Sequence, residues 1–150
     1  MQESQTRHTI QIVFFEQSSD THSRLGIIEE LNTITGLKSR DDFANQIRAS
    51  VVSEYKAPRY EVLSFDMQDY KAFGDYCVVV TMKYKDYRAA NKGGATFLIV
   101  DEKRCCFLHP NNSKLYTIGY SERYSEKDTH AAIDAYYSDL INSFKIKECK

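Results

Sequence analysis

Cys105 and Cys106 stand side by side, with His109 three residues further on. Thiolate and imidazole are the ingredients of a zinc site, or of a nucleophile with its base. The spacing works against both. Side chains alternate between the faces of an extended strand, so Cys105 and His109 share a side while Cys106 points away. Two ligands do not close a tetrahedral site. The remaining histidines, His8, His22 and His130, are scattered among polar residues, and a His130 relay to Asp128 or Asp134 has no nucleophile beside it. Asp66, Asp69, Asp75 and Asp86 include enough carboxylates for an acid–base pair, but each sits where a turn or strand edge accounts for it. Gly93-Gly94 is followed by no Gly-Lys-Ser/Thr and is not a phosphate loop. The sequence therefore predicts no catalytic residue, no metal and no cofactor.

The tyrosines are more informative. There are 11, with no tryptophan. Tyr84, Tyr87, Tyr116, Tyr120 and Tyr124 are interleaved with Lys83, Lys85, Arg88 and Arg123. Bases among aromatics suit single-stranded nucleic acid, but Asp86, Glu122 and Glu126 interrupt the positive field, and the net charge is −1. Mixed-charge, tyrosine-rich surfaces are what protein interfaces use. Tyr84, Tyr87, Arg88, Tyr116 and Tyr120 are accordingly the candidate partner-binding residues, for another protein and not for nucleic acid.

Cys149 is penultimate, and a terminus gains from being tied down. It is expected to form a disulfide with Cys105 or Cys106, the other staying free or pairing with Cys77. Such bonds persist in oxidising compartments. With no signal peptide visible at Met1-Gln2-Glu3-Ser4, the expectation is a periplasmic or secreted mature domain; the alternative is a cytoplasmic protein with four reduced thiols. No apolar run approaches the roughly 18 residues of a membrane span.

The elements that must position these residues follow from periodicity. The 150 residues suit one domain, with residues 1–8 polar and frayed. Residues 59–120 read as an antiparallel meander of about five strands. Tyr76, Val78, Val80, Met82 and Tyr84 share one face of the clearest strand, and Leu63, Phe65 and Met67 one face of the strand before it. Gly74-Asp75, Gly93-Gly94, the polar run Asp101–Arg104 and Pro110–Asn112 are the expected turns. Thr9–Gln17 fits strand and helix equally. Ile27, Ile28 and Leu31 predict a short helix ended by Gly36. Ser39 with Asp42 opens a second helix carrying Phe43, Ile47 and Val51, stopped by Pro58. Ser125 with Asp128 opens a third, with Ile133, Tyr136, Tyr137, Leu140, Ile141 and Phe144 as its stripe and Lys145 and Lys147 at its end. The expected core is Val78, Val80, Phe97, Ile99, Ile47, Val51, Ile133, Leu140 and Ile141.

This is an α+β arrangement: a meander covered by two N-terminal helices and one C-terminal helix. Cystatin-like and NTF2-like cones share it as a fold-level analogy, which does not settle function. The leading expectation is a non-enzymatic protein-binding module, such as a periplasmic immunity or inhibitor protein or an accessory subunit of an envelope complex. The alternative is a small-molecule-binding or catalytic pocket inside a cone, lined by Tyr76, Met82 and Phe97 with a buried aspartate.

Overall fold

The computed structural model describes residues 10–90, 93–128 and 133–146. In chain order these form strands β1 (Ile10–Ser19) and β2 (His22–Thr33), helix α1 (Arg40–Glu54), strands β3 (Tyr60–Asp69), β4 (Cys77–Asp86), β5 (Leu98–Leu108) and β6 (Lys114–Tyr124), and helix α2 (Ile133–Ser143). The fold is α+β. One six-stranded antiparallel open sheet has the order β1-β2-β6-β5-β4-β3. Among the described residues one helix lies in the middle of the chain and one near its C-terminus. β3 to β6 form a meander of four strands where about five were expected, because the segments on either side of Asp101–Arg104 are one strand, and pairing of β6 with β2 adds the N-terminal hairpin to the sheet.

The expected helix at Ile27–Leu31 is strand, so the helices among the described residues number two, not three. Leu25, Ile27 and Glu29 alternate there with Gly26, Ile28 and Glu30, and β2 pairs with β1 on one side and β6 on the other. Pairing on both edges satisfies the backbone of a segment whose apolar residues suit either period, and tertiary context overrides local propensity. Gly36 lies instead in the β2–α1 connection, at φ +76°.

The expected turn at Asp101–Arg104 is the middle of β5. Its four charges are shared between the two faces. Asp101 and Lys103 on one face pair with Lys83 and Asp134, and Glu102 pairs with Arg104 on the other. The remaining turns occur at Gly74, at Gly93-Gly94 and at Pro110–Asn112. A bulge between Val62 and Ser64 interrupts the ladder of β3 at Leu63.

The helices pack on opposite faces, unlike a cone with its helices gathered on one side. α1 starts at the Ser39 cap, whose hydroxyl accepts from the Asp42 N–H at 3.1 Å while Asp42 accepts from the Lys38 N–H at 3.0 Å. It buries Phe43, Ile47 and Val51 against Val78, Val80, Met82 and Cys106. α2 buries Tyr137 and Ile141 against Cys77, Cys105, Phe107 and Ile118. Odd residues of β4 and β5 thus serve one helix and even residues the other. Of the expected core, Val78, Val80, Ile47, Val51 and Ile141 are buried; Phe97, Ile99, Ile133 and Leu140 are half-buried. The Asp128 carboxylate accepts from the Ser125 N–H and the Thr21 hydroxyl, tying the β6–α2 connection to the β1–β2 turn. Lys145 lies beyond the end of α2; Lys147, like His8, His130, Cys149 and residues 1–8, lies outside the described residues.

Candidate functional site

The residues with chemistry do not converge. Cys105 lies under α2, Cys106 lies under α1, and His109 stands past the end of β5, where its Nδ1 accepts from the Asn111 N–H at 3.2 Å. Among the described residues no three His, Cys, Asp or Glu side chains form a metal-holding group. Asp66 is bonded by Gln68 at 2.9 Å and Asp69 lies 3.4 Å from Arg40. Asp86 is buried at the far end of the sheet between Arg59 and Arg123. No disulfide occurs among the described residues. Cys77 and Cys105 are free thiols with sulfurs 3.4 Å apart. The hydrogen bond from Cys105 holds the Cys77 thiol below its ordinary range, and burial raises Cys106 to about 11.

The five candidate partner-binding residues are distributed over three places. Tyr84 is buried on the α1 face, where its hydroxyl donates to Glu102 at 3.0 Å. Tyr116 and Tyr120 lie half-buried on the α2 face; the first donates to Glu30, and the second stacks on Tyr136 at 5.5 Å. Tyr87 and Arg88 sit in the β4–β5 connection. The Tyr87 hydroxyl donates to Glu61 at 2.5 Å, and the Arg88 N–H donates to Asp86 at 3.0 Å. Strand alternation separates Tyr84 from Tyr116 and Tyr120, because the cross-strand register places them on opposite faces.

Two features stand out, one that was not expected from the sequence and one in the segment that fitted an edge strand and a helix equally. The first is a cleft of about 390 Å³ where α1 ends and the bare part of the sheet begins. Its wall is a polar cluster. The Glu102 carboxylate accepts from the Tyr55 and Tyr84 hydroxyls, each at 3.0 Å, and from Arg104. Arg104 also donates to the Tyr55 hydroxyl at 2.6 Å. Burial, and then the Glu102 charge, push both phenols well above the ordinary tyrosine range. Burial opposes the Arg104 charge, but Glu102 and Tyr55 outweigh it and hold the guanidinium protonated. Both carboxylate oxygens of Glu102 are engaged within the cluster. The floor includes Gly119, where a Cβ would come within 3.2 Å of Ile27 and 3.4 Å of Arg104. Tyr76 and Met82, expected to line a cavity, are instead packed beneath α1, and Phe97 packs on Tyr87. A four-residue charged run lacking Gly, Pro, Asn or Ser, set between apolar segments, was the available signal for Glu102 and Arg104.

The second feature is β1 itself, an edge strand. Ile12, Val13, Phe14 and Phe15 are 51%, 47%, 56% and 63% exposed. Alternation places Val13 and Phe15 beside the cleft face and Ile12 and Phe14 on the α2 face. There Phe14, Tyr120, Tyr136 and Leu140 line an apolar groove of about 240 Å³. Both sides of this edge are therefore apolar, and its outer backbone groups pair with no described strand. Beneath it the hairpin is anchored by charge. His22 Nε2 lies 2.6 Å and Arg24 Nε 3.4 Å from the fully buried Glu122.

No family model, no curated protein and no solved structure matches this chain.

Proposed function

We propose that the chain is a non-enzymatic protein-binding module whose binding edge is β1. One observation carries the reading: four consecutive large apolar side chains, about half exposed, on a strand with an open edge. Long, apolar edges are templates for strand addition, and proteins normally blunt them. An extended segment would gain backbone hydrogen bonds from β1, with alternate side chains falling beside Ile12 and Phe14 or beside Val13 and Phe15. Such an edge is compatible with an inhibitor, an immunity protein or an accessory subunit of an envelope complex. Titration of the isotope-labelled protein with an extended peptide of alternating valine and threonine tests the reading. The amides of β1 should shift and gain protection from hydrogen exchange; protection confined to β3, or none, overturns it.

The location belongs to the same proposal: an oxidising compartment, periplasmic or secreted, in which Cys77 can be joined to Cys105. Alkylating native protein under denaturing conditions and weighing it decides. Four alkylated cysteines remove the disulfide and with it the argument for an oxidising compartment.

The cleft favours a second reading, in which it takes a small amphipathic ligand. Its volume falls within the range of ligand sites, and it sets the Tyr55–Glu102–Arg104 wall against apolar Leu25 and Phe15. Screening a ligand library by protein-observed NMR of the isotope-labelled chain checks this. Hits that displace signals of Gly119 and Ser121 support it; a library with no such hit removes it.

A further inference from the structure

Resting on that reading of β1, we infer that the strand's partner is a second copy of the same chain, paired antiparallel through β1 about a two-fold axis perpendicular to the sheet. The two six-stranded sheets would then be continuous.

Such an axis places both copies' α1 faces on the same side, and directly opposed residues must share a face. The axis therefore passes through a residue, not between two. With Val13 at the centre, Val13 meets Val13, and Ile12 meets Phe14 on either side. Branched and aromatic partners across a pair of strands are favourable. With Phe14 at the centre, Ile12 meets Glu16, and a carboxylate is set against an apolar side chain. The Val13 register instead carries Glu16 out of the apolar run, opposite Ile10 at the first residue of the strand, and in neither register does this single charge of β1 oppose its own copy.

The other open edge does not compete. β3 carries Glu61, Asp66 and Asp69 and no base, so a head-to-tail contact of β1 on β3 would bring Glu16 toward like charges. That contact would also leave a free edge at each end and propagate into fibres. The β1–β1 contact closes on itself, so the association stops at two.

Size sets the expected strength. The exposed parts of Ile12, Val13, Phe14 and Phe15 amount to roughly 400–500 Å² per copy, given about 150–250 Å² for a whole aromatic side chain. Two copies bury roughly 1,000 Å², the small end of specific interfaces. A reversible dimer with a dissociation constant on the order of 10 μM is expected. The groove between Phe14 and α2 lies open beside the contact and is free to take side chains from the second copy.

Sedimentation velocity of the full chain from ~1 to ~300 μM, a span around that constant, tests the inference. The mass should rise from 17.4 kDa to twice that value and no further. Val13→Lys and Val13→Asp should each stay monomeric while retaining the wild-type circular dichroism spectrum. An equimolar mixture of the two should recover the dimer, because position 13 opposes itself. A monomeric wild type at the highest concentration overturns the inference, as does a wild-type dimer that the mixture does not restore. The peptide titration then separates the two claims. A monomer whose β1 amides are protected by the peptide keeps the edge reading and loses only the second copy. A monomer without that protection loses both.

Discussion

β3 closes one side of the sheet and β1 the other, and the chain treats them differently. β3 carries three acids in ten residues, and a bulge interrupts its ladder at Leu63. Its charges are engaged: Glu61 with Lys85 and Tyr87, Asp69 with Arg40. β1 carries one acid in ten residues, and its apolar run is uninterrupted from Ile12 to Phe15. The halves behind these edges differ in the same sense. On the α1 face β3 and β4 lie beneath Phe43, Ile47 and Val51, while β2 and β1 lie bare beside the cleft. Charge and a bulge are the usual means of protecting an edge. β1 has one acid and an irregularity only at its end, between Gln17 and Ser19, so of the two edges it is the less protected.

The largest effect is expected at the seam between the two halves. Glu102→Ala leaves the half-buried Arg104 with only the Glu54 carboxylate, at 3.5 Å, and leaves the Tyr84 hydroxyl without its acceptor. Breaking a buried pair costs about 3–5 kcal/mol, and the lower end is expected here. Urea unfolding measures it. A loss below about 1 kcal/mol would mean that water already replaces the carboxylate and that the seam does not hold the halves together. Within the covered half, Val80→Ala should cost about 1–3 kcal/mol, because it leaves a void under α1. Ile27→Ala, on the open cleft floor, should cost clearly less in the same assay. Equal losses would erase the distinction between the halves.

The seam also has a pH signature. Tyr55 and Tyr84 have raised folded-state values, so the native state binds more protons than the unfolded chain above the ordinary tyrosine pKa of about 10. Their contribution is fully present below pH ~10 and falls as pH rises beyond it. Absorbance at the tyrosinate band should show the two ionising together with unfolding, after the exposed tyrosines have titrated. Smooth ionisation of all tyrosines before unfolding would contradict the buried cluster.

The smallest stability effects belong to the edges. Phe14→Lys on β1 and Leu63→Lys on β3 should each change stability by within about 0.5 kcal/mol. Phe14→Lys should abolish association, and Leu63→Lys should not. Tyr87→Ala sharpens the contrast with the tyrosine surface: association unchanged assigns contact to β1, and association lost returns it to the β4–β5 connection.

Much of the covered half was legible. Alternation from Tyr76 to Tyr84, the turn glycines and the Ser39 cap are local signals, and β4 and α1 follow from them. The site was less legible. Glu102 and Arg104 read as a turn because four charges in a row rarely enter a central strand. They are accommodated only because each face of β5 meets a complementary charge: Lys83 and Asp134 on one side, Tyr55 and Tyr84 around Glu102 on the other. The tyrosine surface was drawn from closeness in sequence, and register then assigned its members to different faces.

By itself the sequence determined the α+β class, an antiparallel meander within residues 59–120 though not its number of strands, and the helix capped by Ser39, because period, turn residues and caps act within a few positions. Tertiary structure alone decided that β2 is a strand, that the helices take opposite faces and that Ile12–Phe15 stand at an edge. A run of apolar residues has the same local physics in a central strand as in an outer one. Whether water reaches it depends on which strand, if any, lies alongside. β2 and its neighbour β6 are separated by more than 80 residues of chain, and no local signal spans that distance.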